Sequence, residues 1–242
     1  MLYNFIIYNY KMFFLSYRKI KEIGVGAFSK VFLYRHRISK QNVALKRIKK
    51  KNHNEIKHMK IFKGNSRICQ LHDTFDQGDY SHLVMHYYPN GELFEPLKHH
   101  YYDTPNKVQK LMLELCQIVQ QCHRKNIAHL DIKPENFLFD AQMKLVLIDF
   151  GMSQYFDDIN TLYASTYSLG SETYAAPETE VRLYSAKSDI WSLGIIFQYL
   201  CDCLPIIPLE FEEIENKMLQ KDILDRVELD TLIQKFKELP FA

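Results

Sequence analysis

The sequence contains no apolar run long enough for a secretion signal or a membrane helix. In the Tyr- and Phe-rich start of the chain, Asn4, Asn9 and Lys11 leave runs of about four apolar residues, whereas a signal core needs roughly 7 to 15 and a membrane helix about 20. We therefore predict that residues 1–16 form a short strand or arm packing on the domain. No membrane partner is expected.

Paired cysteines, charged tracts and linkers are also missing. The five cysteines form an odd set without C-x-x-C spacing, which predicts reduced thiols and a cytoplasmic location, with nuclear entry left open. The formal charge is only +2 and is spread along the chain, so no nucleic-acid partner is expected. Without Gly/Ser/Pro-rich linkers or repeats, we expect a single monomeric unit.

The first part of the chain has the pattern of a β-rich lobe. Hydrophobic residues make up 47% of 242 residues, enough to bury the core of one large domain or two small lobes. One short helix is predicted at residues 54–62, with Asn54 as its N-cap and Gly64 just beyond its end. The predicted strands are short and β-branched or aromatic, and they cover Ile20–Ile23, Val31–Tyr34, Asn42–Ile48, Ile68–Phe75 and His82–Tyr87.

The second part is mainly helical. Apolar residues three and four apart predict a long helix over Pro105–Arg124, and another is predicted near Ser188–Leu200. A hairpin at Phe137–Phe139 and Lys144–Ile148 lies between them. We therefore predict an α+β fold with a strand-rich lobe over residues 17–88, a helix-rich lobe over residues 89–242, and a cleft between them.

Two motifs in the first lobe suit phosphate binding. Gly24 and Gly26 lie between two predicted strands, where backbone N–H groups can approach phosphate oxygens. On its own this pattern also fits a plain hairpin, and Ser29 occupies the place of a third glycine. Lys46 lies on the next strand, and an inward lysine is costly to bury unless it meets an anion.

The strongest motif is His129-Leu130-Asp131-Ile132-Lys133-Pro134-Glu135-Asn136. It places a base, a cation and a metal ligand within a few residues. Asp149-Phe150-Gly151 adds a second carboxylate that can hold Mg²⁺, and Ala176-Pro177-Glu178 follows.

In their order and spacing, these motifs resemble the eukaryotic protein kinase family over about Ile20–Ala242. The resemblance implies a bilobal kinase fold that uses ATP and Mg²⁺. It pairs Lys46 with Glu55 against the phosphates and makes Asp131 the catalytic base. Lys133 would neutralise the transferred phosphoryl group, and Asn136 and Asp149 would bind Mg²⁺. His129, with Met59, Phe150 and Asp189, matches internal structural positions rather than an acid or base.

The nucleotide contacts follow from the same resemblance. Met85 matches the gatekeeper, and the backbone of His86 and Tyr88 would contact adenine. The full predicted set is Ile23, Gly24, Val25, Gly26, Val31, Ala44, Lys46, Met85, His86, Tyr88, Glu92 and Leu138.

Two features resemble serine/threonine rather than tyrosine kinases. One is Lys133 in the motif at residues 129–136, which is called the catalytic loop below. The other is Ser171, which we expect to hydrogen-bond Asp131 and Lys133. The residues of these motifs most resemble those of the calcium/calmodulin-dependent kinase group, although no EF-hand loop or calmodulin-binding tail is visible in the sequence. The partners would be proteins that carry serine or threonine.

The chain departs from the family pattern in three places. Leu130 replaces the arginine that binds an activation-loop phosphate in many kinases, so we hypothesise activity without loop phosphorylation. Lys46 and Glu55 are only nine residues apart, roughly half the separation usual in the family, so their pairing requires the helix to begin almost directly after the strand. The late helices look shortened, although Arg226 is expected to pair with Glu178 and the domain is expected to be complete at its end.

Alternatives remain open from the sequence. Glu92 and Glu135 match positions that receive basic residues upstream of the target serine, although Tyr199 occupies the place of a third acid, and solvated surface acids fit nearly as well. A non-catalytic nucleotide-binding scaffold is the second hypothesis, favoured if Lys46 cannot reach Glu55. A metabolite kinase is the third.

Overall fold

The computed structural model describes residues 12–26, 29–50, 53–166 and 168–241. The chain divides into two compact units, Met1–Pro89 and Asn90–Ala242. Of the predicted N-terminal arm, only residues 12–16 are described, and they are helical. The rest of that prediction, over residues 1–11, lies outside the described part of the chain.

The N-terminal unit is built on a five-stranded antiparallel sheet with strand order β1-β2-β3-β5-β4. Helix α1 (His53–Ile61) lies between β3 and β4 in the sequence. The strands are β1 (Tyr17–Gly26), β2 (Ser29–His36), β3 (Asn42–Lys49), β4 (Leu71–Gln77) and β5 (Tyr80–His86).

Several predicted boundaries in this unit differ from the structure, among them the start of β4 and the N-cap of α1. Strand β4 begins at Leu71 rather than Ile68, because the preceding residues form a turn closed by hydrogen bonds to the side chain of Gln70. Asn54 is not the N-cap of α1 but lies within its first turn. Gly64 follows the helix as predicted, with a φ of 86° that suits glycine.

An aromatic cluster covers one face of the sheet. Phe13, from the helical turn at residues 12–16, is buried against Tyr34 and Phe75, with ring centroids 5.4 and 5.2 Å apart. The ring of His82 stacks on Phe75 at 4.9 Å and is only 4% exposed. The segment before β1 thus contributes to the core of the N-terminal unit.

The C-terminal unit is mainly helical. Its helices are α2 (Phe94–Lys98), α3 (Pro105–His123), α4 (Ala186–Asp202), α5 (Leu209–Met218) and α6 (Leu229–Glu238). Its strands form three two-stranded sheets, which pair β6 (Ile127–Ala128) with β9 (Gln154–Tyr155), β7 (Phe137–Phe139) with β8 (Leu145–Leu147), and β10 (Tyr163–Ala164) with β11 (Leu183–Tyr184).

The two long helices start where the sequence predicts or close to it. Thr104 caps α3 and Pro105 is its first residue, which suits proline because the first N–H of a helix has no intrahelical partner. Helix α4 begins two residues before the predicted Ser188, since Ser185 and Ser188 form a reciprocal capping box. Between α4 and Met218 the chain forms one helix, the ten-residue α5.

No helix in the described part of the chain is both long and apolar enough to cross a bilayer.

We expect acid to destabilise the N-terminal unit through His82. Burial, followed by the charge of Arg47, lowers the pKa of His82 from 6.5 to about 4, although Asp76 opposes the shift. The folded unit therefore keeps the ring neutral, whereas the unfolded chain protonates it below pH 6.5. This stability is complete above that pH and falls toward pH 4, by at most about 1.4 kcal/mol per pH unit.

NMR titration of the His82 ring measures the shift directly, and His82→Leu should flatten the pH dependence of urea unfolding. His99→Leu, which removes an exposed histidine, is the matched control and should leave that dependence unchanged. A His82 ring that titrates at its ordinary pKa would contradict this expectation.

Candidate active site

Lys46 and Glu55 form a buried ion pair in the N-terminal unit. The Lys46 Nζ lies 2.6 Å from Glu55 Oε1, and the two side chains are 5% and 1% exposed. Lys46 comes from the middle of β3 and Glu55 from the first turn of α1. The predicted contact is therefore confirmed, and nine residues are enough to bring the two side chains together.

The predicted nucleotide contacts of this unit lie on neighbouring strands. Val31 on β2 is directly opposite Lys46, and Ala44 is opposite Met85 on β5. Directly paired residues share a face of a sheet, so an apolar surface accompanies the Lys46 ammonium. Of the other predicted contacts, Ile23, Gly24, Val25 and Gly26 lie on β1, His86 ends β5, and Tyr88 follows it.

The carboxylate of Asp131 is the centre of a hydrogen-bond network in the C-terminal unit. The Lys133 Nζ lies 3.0 Å from Asp131 Oδ2 and donates to Ser171 Oγ at 2.7 Å. The Ser171 hydroxyl donates to Asp131 Oδ1 at 2.8 Å. Asn136 donates to Asp131 Oδ2 at 2.9 Å. The contacts predicted for Ser171 are thereby confirmed, and Asp131 is fixed by donors on three sides.

Asn136 and Asp149 stand at the same end of the β7–β8 hairpin. The Ile148 N–H donates to the Asn136 backbone carbonyl at 2.9 Å, one residue before Asp149. Both side-chain hydrogen bonds of Asn136 to Asp131 use its amide nitrogen, so its amide oxygen is the atom that could bind a metal. Asp149 has a φ of 61°, a conformation that costs energy for a residue other than glycine.

These donors fit a magnesium ion that is shared with a phosphate. Mg²⁺ prefers oxygen ligands and is usually held by one or two carboxylates together with substrate phosphates. Within residues 12–26, 29–50, 53–166 and 168–241, no three His, Cys, Asp or Glu side chains form a metal-binding group. Asn136 and Asp149 match the sparse oxygen donor set of a substrate-bound ion.

The His129 side chain forms hydrogen bonds with backbone groups and not with the reacting side chains. Its Nε2 donates to the Ile148 carbonyl at 2.9 Å, and its Nδ1 accepts from the Asp131 N–H at 3.3 Å. The ring is buried and packs against Phe150, with centroids 5.0 Å apart. Because both nitrogens have backbone partners, the predicted structural position of His129 fits these contacts.

Leu130 anchors the activation segment, which we define as residues 153–178. Its side chain is buried with Phe156 and Tyr184, and Ile159 and Leu169 from the segment pack against the same cluster. Two short strands of the segment, β9 and β10, pair with β6 and β11, which lie outside it. Leu130 thus makes apolar contacts at the position where many kinases have a phosphate-binding arginine.

The predicted bridge between Arg226 and Glu178 is also confirmed. The guanidinium donates two hydrogen bonds to the carboxylate, at 2.8 and 2.9 Å, and Arg226 is only 1% exposed. Burial would raise the pKa of Glu178, but the hydrogen bonds and charge of Arg226 hold it below its ordinary value. The pair ties the end of the activation segment to the chain before α6.

Glu92 and Glu135 lie close enough to interact. Burial and then the charge of Glu135 raise the pKa of Glu92. The Glu135 Oε2 is buried without a hydrogen-bond partner among the described residues. Glu92 is held in place because it bridges Leu138, a predicted adenine contact, in an isolated antiparallel pair.

The sequence did not indicate several groups that support the site. His123 donates from Nε2 to Asp189 at 2.9 Å, and the Tyr184 hydroxyl accepts from the Leu169 N–H at 2.8 Å. Both partners are distant along the chain, and no spacing in the sequence marks them. The two-residue strands β6, β9, β10 and β11 likewise gave too little pattern to be predicted.

Comparison with known proteins identifies the family. Residues 17–239 match the family described as protein kinase domain. The chain is 34% identical over 218 residues to the carbon catabolite-derepressing protein kinase of Saccharomyces cerevisiae, covering 83% of this chain and 34% of that protein. Thus the chain belongs to the protein kinase domain family.

Two further relatives carry kinase names. An SNF1-related protein kinase catalytic subunit, alpha KIN12, of Arabidopsis thaliana is 34% identical over 221 residues, covering 84% of this chain and 44% of the relative. Calcium-dependent protein kinase 6 of Plasmodium berghei is 30% identical over 224 residues, covering 89% and 15%. The chain therefore spans less than half the length of each of these relatives.

Proposed function

We propose that the protein transfers the γ-phosphate of ATP to serine or threonine hydroxyls of other proteins. The observation that carries the proposal is the Asp131 carboxylate, held by Lys133, Ser171 and Asn136. A carboxylate fixed in this way can accept or orient the proton of an incoming hydroxyl, while the adjacent ammonium faces the negative charge of the phosphoryl group. The match of this chain to the protein kinase domain family and its similarity to relatives named as kinases support this function.

The remaining residues divide the work on ATP. Lys46, held by Glu55, would bind the α- and β-phosphates, and Asn136 and Asp149 would hold Mg²⁺, which neutralises phosphate charge when it is bound. Val31, Ala44, Met85 and Leu138 would form the apolar surroundings of adenine, as predicted. Catalysis would then consist mainly of positioning and charge stabilisation.

A serine or threonine target is favoured by the Lys133–Ser171 hydrogen bond. Ser171 and Asp131 line the same small cavity, and we expect the segment from Ser171 to Glu178 to offer a peptide a surface next to Asp131. A metabolite kinase has less use for such a surface. The scaffold hypothesis loses its main support, because the Lys46–Glu55 pair forms.

Compartment and assembly remain proposals. Cys69, Cys116, Cys122 and Cys201 are buried and Cys203 is partly exposed, and all are free thiols. Free thiols support the proposed cytoplasmic location, where disulfides are rare. We propose that the protein is a monomer and that it acts on protein substrates rather than on nucleic acid or at a membrane.

The function is tested by an Asp131→Asn variant in a γ-phosphate transfer assay. We expect the rate to fall about 10²- to 10⁴-fold, because the amide cannot accept the hydroxyl proton, while a Mg-ATP analogue still binds. Asp225→Asn, at an exposed position, is the matched control and should retain full activity. Wild-type protein that binds nucleotide but transfers no phosphate would favour the scaffold.

The Leu130 cluster leads to a proposal on regulation. An activation segment that is held by apolar contacts and paired strands does not need a phosphate to order it. We propose that the activity is independent of phosphorylation in this segment. The hydroxyl residues concerned are Thr161, Ser165, Thr166 and Ser168.

Alanine at all four positions should therefore leave kcat within about twofold of the wild type. In contrast, Leu130→Arg places a guanidinium among Phe156 and Tyr184 without a buried anion, and we expect at least a tenfold loss of kcat, about 1.4 kcal/mol. Leu224→Arg, at an 87% exposed leucine, is the control for the added charge. A folded quadruple-alanine variant without activity would overturn this regulatory proposal.

Glu92 and Glu135 support a preference for basic residues upstream of the target. A guanidinium bound beside them would relieve their mutual repulsion. We propose a modest preference for arginine three residues before the target.

Glu135→Gln should lower kcat/KM about tenfold for a peptide with arginine at that position and little for its alanine counterpart, since charge-assisted hydrogen bonds are lost. Glu210→Gln, at an exposed glutamate in α5, is the matched control. Equal use of both peptides by the wild type would exclude the preference.

A further inference from the structure

The side chain of Gln70 closes the turn between α1 and β4. Its Nε2 donates to the carbonyl oxygens of Asn65 and Ile68, both at 2.7 Å, and to that of Phe62 at 3.2 Å. Its Oε1 accepts from the Gly64 N–H at 2.7 Å. One half-buried amide thus satisfies backbone groups on both sides of the turn that ends α1.

The backbone of Gln70 binds a different segment. Its carbonyl accepts from the His86 N–H at 2.9 Å, and its N–H donates to the Tyr88 hydroxyl at 3.3 Å. His86 and Tyr88 are the residues whose backbone is predicted to contact adenine. The side chain of Gln70 therefore holds the turn that follows α1, the helix that carries Glu55. The backbone of Gln70 holds the predicted adenine-binding segment.

We propose that Gln70 is a positioning residue, which fixes helix α1 and the 86–88 segment relative to each other and so sets the affinity for ATP. The proposal rests on the proposed kinase function. Gln70 contacts neither Lys46 nor Glu55 in any of these bonds, so its effect would reach the nucleotide through backbone placement.

The chemistry of the turn requires an amide. The Gln70 amide donates to three carbonyls and accepts from one N–H, and glutamine supplies both functions from one planar group. Glutamate of nearly the same shape would face the carbonyls with an anion. Leucine would remove the amide donor, although the Phe62 and Asn65 carbonyls keep the backbone N–H groups of Asn65 and Ile68. These two substitutions therefore test the hydrogen bonds at nearly constant side-chain volume.

The experiment measures Gln70→Glu and Gln70→Leu against the wild type, with Gln41→Glu as the matched control at an exposed glutamine of the same unit. We expect the Kd for a non-hydrolysable Mg-ATP analogue, measured by calorimetry, to rise about fivefold or more, because the hydrogen bonds that fix the turn after α1 are lost. At saturating ATP, kcat should change less than twofold. Amide exchange should accelerate at His86 as well as at Gly64.

A purely structural role gives a different result. The Gln70 substitutions would then lower the unfolding temperature and speed amide exchange at Gly64, but leave the Kd and the amide exchange of His86 unchanged. That outcome would overturn the proposal. If neither Gln70 variant folds, Tyr88→Phe removes the hydroxyl that accepts from Gln70 and must raise Kd in the same direction for the proposal to stand.

The two proposals fail in distinguishable ways. Wild-type protein without phosphoryl transfer contradicts the kinase function. In that case the nucleotide affinity and the His86 amide exchange of the Gln70 variants still test the positioning role of Gln70. Normal transfer by the wild type, with unchanged affinity and exchange in the Gln70 variants, leaves the function intact and removes Gln70 from it.

Discussion

The buried carboxylate of Asp189 is the constraint on which the site of the C-terminal unit depends. It is fully buried in the first turn of α4 and accepts hydrogen bonds from the His129 and Leu130 N–H groups at 2.8 and 2.7 Å and from His123 at 2.9 Å. The position also suits an acid, because the N-terminus of a helix favours negative charge. These bonds hold Leu130 at a φ of 62°, which costs a bulky residue roughly 1–3 kcal/mol. Asp131 follows this strained turn.

The same helix is braced from the other side. The Ser188 hydroxyl donates to Glu178 at 2.8 Å, and Arg226 donates both to Glu178 and to the Lys187 carbonyl. Removing either charged partner would leave an unpaired ion in the core, which is strongly destabilising. The first turn of α4 therefore links the catalytic loop, the end of the activation segment and the chain before α6. A single helix terminus sets the geometry of all three.

Sequence patterns were sufficient where the physical cause is local. The apolar period and the Thr104-Pro105 start predicted α3 almost to the residue. Glu55 is the only glutamate between Lys46 and Glu92, which made it the expected partner of Lys46. Boundaries set by hydrogen bonds between a side chain and the backbone were not accessible from the sequence. Strand β4 starts late because Gln70 binds carbonyls of the preceding turn, and no local propensity encodes those bonds.

The activation segment shows the same limit. The sequence revealed that an arginine was missing at position 130 but not what replaced its function. Ile159 and Leu169 stand alone in a polar stretch, and only the fold brings them to Leu130. Two-residue strands such as β10 are too short to leave a period that could be recognised.

The short connection between Lys46 and Glu55 has a mechanical consequence. Only three residues separate the end of β3 at Lys49 from the start of α1 at His53, and they reach about 10 Å beyond that strand at most. Helix α1 has nine residues, fewer than the roughly 12 an isolated helix needs to be stable in water. The connection limits how far α1 can move from the sheet as a rigid body, and the helix has little stability once detached. We therefore expect order and disorder of α1 to contribute to the motion that makes or breaks the ion pair.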